Sequence, residues 1–404
     1  MKFEKSPIFN SFLSEKFPGH KIIDAGTWCE YRRPAFLMPD DSLFSGMAKV
    51  FYSEQEKLYG KAKFFGGDLF HEGGRAEAVN LTECASLVQK NMQENHPGST
   101  WVLQGWIGNP RPELLAGLDK DKTLVLDLFG ETLADWNKYQ PSWKASKGYS
   151  GARWIWCTVT NFGGRNGLHG KIDSTTVILD EARNSEYGKK LEGIGIMPEG
   201  SHINPFMFEY LFELGWRNHL PVAEQWAQDY SVFRYGKDLP NVRKAWHILS
   251  RSIYNIPMRF DEPQNILCAK PSLKVVNAAP WGTYPIRYEQ KQLIEAVELL
   301  LNCSNELGNV DAYLYDIADM TRQVIMGELE FTYKDIVSAA AQKDGEKFKS
   351  LTERFIALAE TEEKLLSSRP EFLLGRWIES ARKLGSDDAE KDLFEQNARM
   401  LLTT

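Results

Sequence analysis

The sequence Thr-Leu-Val-Leu-Asp at residues 123–127 is an apolar run that ends in a carboxylate. A short run of this kind, without polar alternation, is typical of a strand that is covered on both faces. Four similar runs lie on either side of it, at residues 63–65, 100–104, 153–159 and 193–197. Amphipathic stretches at residues 79–95 and 112–118 separate some of them, and this alternation predicts a parallel sheet with covering helices.

Polar side chains stand where these runs end, and they are Asp68, Gln104, Asp127, Asn161 and Glu199. In β/α repeats, catalytic groups usually lie at the carboxyl ends of the strands. Five such units in sequence favour a (β/α)8 TIM-barrel type over an open doubly wound sheet, and no GxGxxG phosphate loop is present. Five strands do not close an eight-stranded barrel. The predicted fold is therefore an α/β barrel that lacks its first strands.

The pattern changes to long amphipathic helices after Gly200. Leu293, Ala296, Val297 and Leu300 recur at the i, i+3, i+4, i+7 spacing of a helix with one buried face. Residues 204–217 are densely apolar, and similar helical patterns follow near residues 314–320, 351–358 and 372–381. We predict a partial barrel domain over residues 1–203 and an all-helical C-terminal domain over residues 204–404.

Composition excludes several classes of protein. The net charge is −7 and charges of both signs are interspersed, which argues against a nucleic-acid partner. No stretch approaches the roughly 18–20 apolar residues of a membrane span. The five cysteines are widely spaced and form neither a disulfide framework nor a CxxC motif. The first residues, Met-Lys-Phe-Glu-Lys-Ser-Pro, contain no apolar segment of a signal peptide, so the compartment stays open.

Glu72 is the first candidate catalytic residue, in Phe-Phe-Gly-Gly-Asp-Leu-Phe-His-Glu-Gly-Gly at residues 64–74. Glycines on both sides allow close approach of backbone and substrate. His71 and Glu72 do not form a zinc motif, because HExxH requires a histidine where Arg75 stands. The other histidines have no metal-ligand spacing, so neither a metal nor a cofactor is predicted. The alternative role is a loop cap or salt bridge made by Asp68 and Glu72.

Glu199 is the second candidate, between Pro198 and Gly200 in a sequence that predicts a rigid turn. Its alternative role is a carboxylate at the N-terminus of the helix that follows. Asp127 is expected either to orient a sugar hydroxyl or to be a structural acid inside the barrel. Asn161 is expected either to donate its amide to a ligand or to form a turn. Two carboxylates are the groups that glycosidic bond cleavage requires.

Seven blocks of the sequence, in order, resemble glycoside hydrolase family 89, the α-N-acetylglucosaminidases. They are Gly-Asp-Leu-Phe-His-Glu-Gly-Gly (67–74), Trp-Val-Leu-Gln-Gly-Trp (101–106), Leu-Val-Leu-Asp-Leu-Phe (124–129), Trp-Ile-Trp-Cys-Thr-Val-Thr-Asn-Phe-Gly-Gly (154–164), Gly-Ile-Gly-Ile-Met-Pro-Glu-Gly (193–200), Tyr-Asp-Ile-Ala-Asp-Met-Thr-Arg-Gln-Val (315–324) and Phe-Leu-Leu-Gly-Arg-Trp-Ile-Glu (372–379). The resemblance extends over almost the whole chain.

The resemblance implies a retaining exo-glycosidase that removes terminal α-linked N-acetylglucosamine from glycans. Glu72 matches the family's general acid/base, and Glu199 matches its nucleophile. Trp106, Val159 and Phe162 match positions that line the sugar pocket. His71 takes a place where some members have asparagine, a departure that is expected to alter a contact between this substrate-binding position and a sugar hydroxyl. With Asp127 and Asn161, these four residues complete the predicted substrate-binding set.

The resemblance also implies a segment that this chain does not contain. Family members carry a small N-terminal domain and the first barrel strands before the region where this sequence starts. From the resemblance the chain is expected to be an enzyme. The missing N-terminal part is a candidate partner, supplied as a separate chain. The alternative is a truncated, non-catalytic carbohydrate-binding or partner-dependent remnant. A purely structural helical scaffold ranks last, because it leaves the strand-end acids unexplained. By resemblance the protein is secreted, periplasmic or lysosomal.

Overall fold

The computed structural model describes residues 13–29, 31–131, 141–200, 204–257, 261–279 and 282–402. The chain divides into two compact units. The sheet unit consists of Met1–Thr160, Thr175–Met197 and Leu211–Leu220. The helical unit consists of Asn161–Ser174, Pro198–Tyr210 and Pro221–Thr404. The chain passes between the units more than once, and the predicted domain boundary at residues 203 and 204 stays a prediction.

Strands and helices follow one another along the described residues. The strands are β1 (Ile22–Ile23), β2 (Thr27–Trp28), β3 (Tyr31–Arg32), β4 (Phe36–Leu37), β5 (Phe64–Gly66), β6 (Thr100–Gly105), β7 (Thr123–Asp127), β8 (Arg153–Thr160), β9 (Leu191–Pro198), β10 (Asn277–Ala279) and β11 (Gly282–Thr283). The α-helices are α1 (Ser42–Tyr59), α2 (Leu81–Asn95), α3 (Pro112–Ala116), α4 (Ser142–Ala145), α5 (Ile172–Asn184), α6 (Pro205–Trp216), α7 (Ala223–Tyr235), α8 (Pro240–Arg251), α9 (Gln290–Leu301), α10 (Ser304–Leu307), α11 (Asp311–Ala341), α12 (Gly345–Leu366), α13 (Leu374–Arg382) and α14 (Asp388–Met400).

A five-stranded sheet in the order β5-β6-β7-β8-β9 forms the centre of the sheet unit. The pairs β5–β6, β6–β7 and β7–β8 are parallel, with Leu103 opposite Val125 and Val125 opposite Trp154. These three side chains are fully buried, whereas the outer strands β5 and β9 are partly exposed. Neighbouring parallel strands must be joined by crossover connections. The parallel sheet agrees with the prediction from the sequence. The barrel-type fold class followed by helices is confirmed.

Helix α2 shows why the covering helices form where they do. The side chain of Asn80 accepts a hydrogen bond from the amide of Glu83 at 3.2 Å, which satisfies a free donor of the first turn. Leu81, Ala85 and Met92 are buried on the face that the helix turns inward. The capping residue and the apolar face that follows it thus determine where the helix begins. It begins at Leu81, two residues after the predicted start.

The helical unit has a core rich in aromatic rings. Phe206 packs against Tyr254 with ring centroids 4.2 Å apart, and against Trp246 at 5.2 Å. Helices α7 and α11 are joined by Arg234, whose guanidinium donates to both oxygens of the buried Asp316 at 2.6 and 2.8 Å. None of the helices described is both long and apolar enough to cross a membrane.

Candidate active site

Glu72 lies in the loop after β5, with both carboxylate oxygens held by indole N–H groups. Trp28 Nε1 donates to Oε2 at 2.6 Å, and Trp106 Nε1 donates to Oε1. Hydrogen bonds to an ionised carboxylate are about twice as strong as those between neutral groups. The backbone of Glu72 has φ +55°, a left-handed conformation that is unusual for a glutamate. The carboxylate is therefore held in one orientation by two donors and a constrained backbone.

The loop of Glu72 is anchored to the segment that carries Trp28. The amide of Arg75 donates to the carbonyl of Ala25 at 2.9 Å, and the guanidinium of Arg33 donates to the carbonyl of His71. Phe70 is buried against Ala25, and its ring also contacts the ring of Phe36 at 4.9 Å. Backbone, guanidinium and apolar contacts thus fix the loop on both sides of Glu72.

Asp68 and His71 stand in the same loop. Asp68 Oδ1 accepts a hydrogen bond from the amide of Gln104 at 2.9 Å, which joins the ends of two neighbouring strands. Burial raises the pKa of the Asp68 carboxyl, and this amide partly opposes the shift. The Nε2 atom of His71 is buried and has no hydrogen-bond partner among the described residues. A buried polar atom without a partner is uncommon in folded proteins.

Trp106 follows β6 and is almost fully buried. One face of its indole stacks on the ring of Phe129, with centroids 4.3 Å apart and planes inclined by 13°. The amide and carbonyl of Trp106 both bond to Asn109, at 3.1 and 2.9 Å, which closes the turn after the strand. The side chain reaches Glu72 from a rigid support, and its predicted role in binding sugar stays a prediction.

Asp127, at the end of β7, is completely buried. Burial raises the pKa of its carboxyl to about 8, although Tyr149 and the amide of Phe129 act in the opposite direction. Burial thus favours the neutral form of this carboxyl. Thr158 donates its hydroxyl to the nearby buried Glu131. This environment fits the interior structural acid that the sequence left open, and contact of Asp127 with a sugar stays a prediction.

Glu199 belongs to the helical unit, where it is exposed. Its Oε2 accepts a hydrogen bond from the backbone amide of Gly163 at 2.6 Å. Gly163 has φ +67°, so glycine suits the turn that presents this amide. The alternative role of Glu199 at the N-terminus of α6 involves residues 201–203, which lie outside the described residues.

Asn161 forms the turn that leads to Gly163. Its Nδ2 donates to the carbonyls of Arg165 and Gly167 at 2.9 and 3.2 Å, and its backbone amide donates to Glu262 Oε1 at 2.8 Å. Both hydrogens of the side-chain amide are therefore engaged within the loop, as in the turn alternative. A role for Asn161 in binding substrate stays a prediction.

The remaining predicted pocket residues lie in different units. Phe162, in the helical unit, is half-buried beneath the guanidinium of Arg165 at 5.2 Å from its ring centroid. Val159, in the sheet unit, is partly buried near the end of β8. Within the described parts of the chain, no group of three or more His, Cys, Asp or Glu side chains could hold a metal ion.

Sequence reasoning missed Trp28 and the amide of Gly163. Trp28 lies 44 residues before Glu72, and no spacing rule joins positions so far apart. A backbone amide carries no residue-specific signal, although the glycines at 163 and 164 marked a turn. Trp28 donates to Glu72 and the amide of Gly163 donates to Glu199, the two carboxylates that were predicted.

A parallel sheet whose strands are joined by crossovers, followed by a helical region, defines a protein of the (β/α)-barrel class. The chain belongs to the alpha-N-acetylglucosaminidase family, glycoside hydrolase family 89. The family model for the alpha-N-acetylglucosaminidase tim-barrel domain matches residues 10–218, and that for the C-terminal domain matches residues 226–404.

Similar proteins are known from human and from a bacterium. Alpha-N-acetylglucosaminidase of Homo sapiens is 29% identical over 430 residues, which cover 99% of this chain and 56% of the relative. A family 89 glycoside hydrolase from Clostridium perfringens, in complex with 2-acetamido-1,2-dideoxynojirmycin, has 34% identity and a TM-score of 0.87. The match covers 96% of this chain and 44% of that one. The chain thus spans about half the length of these relatives.

A further structure of the Clostridium perfringens enzyme carries two glutamate-to-glutamine substitutions and holds its substrate, GlcNAc-α-1,4-galactose. It is 34% identical to this chain with a TM-score of 0.87, and the match covers 97% of this chain and 44% of that one.

Proposed function

We propose that this chain carries the catalytic residues of a retaining exo-glycosidase that hydrolyses terminal α-linked N-acetylglucosamine. The observation that carries the proposal is the carboxylate of Glu72, oriented by two indole N–H donors in a constrained loop after a parallel strand. Membership of the alpha-N-acetylglucosaminidase family supports the reaction class. The complex of a related enzyme with GlcNAc-α-1,4-galactose supports the class of substrate.

Two glutamates divide the chemistry in this proposal. In the first step, neutral Glu72 gives its proton to the glycosidic oxygen, the bond from that oxygen to the anomeric carbon breaks, and ionised Glu199 bonds to the anomeric carbon. In the second step, Glu72 takes a proton from water, and the water oxygen displaces Glu199. The amide of Gly163 orients the carboxylate of Glu199 for attack.

Binding of the sugar is assigned to groups that surround these carboxylates in the sequence. The unpartnered Nε2 of His71 is suited to a sugar hydroxyl or carbonyl. Trp106, Val159 and Phe162 are proposed to supply apolar contacts. Asp127 and Asn161 are kept as substrate-binding candidates, although burial and engagement in a turn favour indirect roles. The proposal requires no metal or cofactor.

Hydrolysis of 4-nitrophenyl α-N-acetylglucosaminide by the purified chain tests the proposal. Glu72→Gln and Glu199→Gln should each reduce kcat by roughly 10²–10⁴-fold, the usual contribution of such groups. Glu353→Gln, at an exposed position of α12, is the matched control and should be fully active. Proton NMR of the sugar first released should show the α anomer if the reaction retains configuration.

Two results would contradict the proposal. Full activity of Glu199→Gln would exclude Glu199 as the nucleophile. A cooperatively folded wild-type chain without activity would favour the non-catalytic, carbohydrate-binding or partner-dependent alternative. Restoration of activity by the N-terminal part of a relative, added as a separate chain, would then identify the dependence on a partner.

A further inference from the structure

Trp28 and Tyr31 form an aromatic pair whose position is not explained by burial. Trp28 is 45% exposed and Tyr31 is 61% exposed. Their rings stack with centroids 6.3 Å apart, on opposite strands of the β2–β3 hairpin. Two-residue strands contribute little stability by themselves. The pair contacts a candidate catalytic residue through the hydrogen bond from Trp28 Nε1 to Glu72.

The hairpin has a fixed relation to the loop of Glu72. Arg33, which directly follows β3, donates through Nε to the carbonyl of Thr27 at 3.4 Å. The same guanidinium donates to the carbonyl of His71, the residue before Glu72. The amide of Arg33 also donates to the carbonyl of Gly26 at 2.8 Å. Arg33 therefore ties the strand that carries Trp28 to the backbone that immediately precedes Glu72.

The chemistry of indole makes this contact directional. Indole Nε1–H is a donor only and cannot accept a proton. A carboxyl oxygen offers two lone-pair directions, and on Glu72 an indole N–H takes one direction on each oxygen. The transferable proton of Glu72 must then lie on an edge that neither indole occupies. Trp28 thereby removes one of the directions from which the carboxyl group could present the proton.

We propose that Trp28 is a positioning residue that orients Glu72 for proton transfer to the leaving oxygen. This inference rests on the proposed function, in which Glu72 is the acid/base. It assigns to the β2–β3 hairpin a role in leaving-group protonation.

Trp28→Phe tests the role because it keeps an aromatic ring beside Tyr31 and removes the N–H donor, together with the pyrrole part of the indole. The kcat/KM for GlcNAc-α-1,4-galactose, whose leaving group needs a proton, should fall about tenfold or more, as for loss of a hydrogen bond to a charged group. The value for a 2,4-dinitrophenyl α-glycoside, whose leaving group departs without a proton, should change less than about twofold. Tyr31→Phe is the matched control in the same hairpin and should resemble the wild type with both substrates.

An equal loss with both substrates would overturn the inference, because a merely structural role lowers both rates together. Unchanged kinetics of Trp28→Phe would overturn it as well. Neither result would touch the proposed function, which fails separately if Glu72→Gln retains activity or if the folded wild type has none.

A measurement without catalysis uses tryptophan labelled with ¹⁵N in the indole ring. The Trp28 signal is assigned by its absence from Trp28→Phe, and Glu72→Gln should shift it because a carboxamide replaces the carboxyl group as the acceptor. An unshifted Trp28 signal would contradict the contact on which the inference rests. An unfolding temperature of Trp28→Phe close to that of the wild type would separate positioning from folding.

Discussion

Replacing Gly74 with alanine should loosen the loop of Glu72, and the size of the effect can be worked from the structure. Gly74 has φ +86°, and a Cβ atom placed there would lie 2.7 Å from the carbonyl oxygen of Ala25 and 3.0 Å from the side chain of Arg33. A left-handed backbone costs an L-residue about 1–2 kcal/mol. Overlap with a packed backbone atom adds about 1–3 kcal/mol. We expect Gly74→Ala to lower the free energy of unfolding by about 2–5 kcal/mol.

Gly73 offers a matched control in the adjacent position. It has φ +108°, but a Cβ atom there would meet nothing within 4 Å. Gly73→Ala should therefore show the backbone cost alone, about 1–2 kcal/mol. The two variants should differ in unfolding temperature by roughly 2–12 °C in calorimetry, at about 2–4 °C per kcal/mol for a unit of this size. Equal unfolding temperatures would show that contact with Ala25 does not constrain the loop, and would refute the reasoning.

Two further substitutions test buried groups of the sheet unit. The pKa of Asp127 is raised from 3.8 to about 8, so its contribution to stability is full below pH 3.8 and is lost as the pH rises to 8. Asp127→Asn should abolish this pH dependence of the free energy of unfolding, which amounts to at most about 1.4 kcal/mol per pH unit. Urea unfolding at several pH values between 4 and 8 measures it, and the same pH dependence in the variant as in the wild type would contradict the prediction. His71→Leu removes a buried Nε2 that has no described partner, so thermal stability should be equal or higher. It should also lower kcat/KM about tenfold or more; a stable variant of full activity would exclude a substrate contact.

The sheet was predictable because its strands carry their burial in their composition. Residues 123–127 were predicted as a strand with the observed bounds, and residues 153–159 fall one residue short of β8. A strand that is covered on both faces needs apolar residues throughout. The two candidate carboxylates could be found because predicting a strand also predicts its carboxyl end, where catalytic groups usually lie.

Several helices were not among the predicted elements. In α8, Val242, Ala245, Trp246 and Leu249 are buried at the i, i+3, i+4, i+7 spacing, so this helix was readable in the sequence. Helix α1 lies at the other extreme, since no residue of it is buried. Its beginning at Ser42 is marked chiefly by the side chain of Asp41, which accepts from the amide of Leu43 at 2.8 Å.

The partners of the candidate residues could not be predicted, because they depend on contacts between distant segments. Asn161 was equally suited to a ligand or a turn until its amide was found on Arg165 and Gly167. Asp127 could have faced a cavity or the interior, and only its complete burial distinguishes them. Residue type defines what a group can do, whereas packing decides which of its options is used.

The two candidate glutamates are oriented by different means, and this difference has a consequence for how each responds to substitution. Glu72 is held by the side chains of Trp28 and Trp106, so a single side-chain change can remove a donor. Glu199 is held by the backbone amide of Gly163, which no ordinary side-chain change removes. Disturbing that amide requires a change in the conformation of its loop, which Asn161 stabilises through three hydrogen bonds. Single side-chain substitutions near Glu72 should therefore change its orientation, and with it the proposed proton transfer, by graded amounts. Substitutions near Glu199 should have an effect only when the whole turn rearranges.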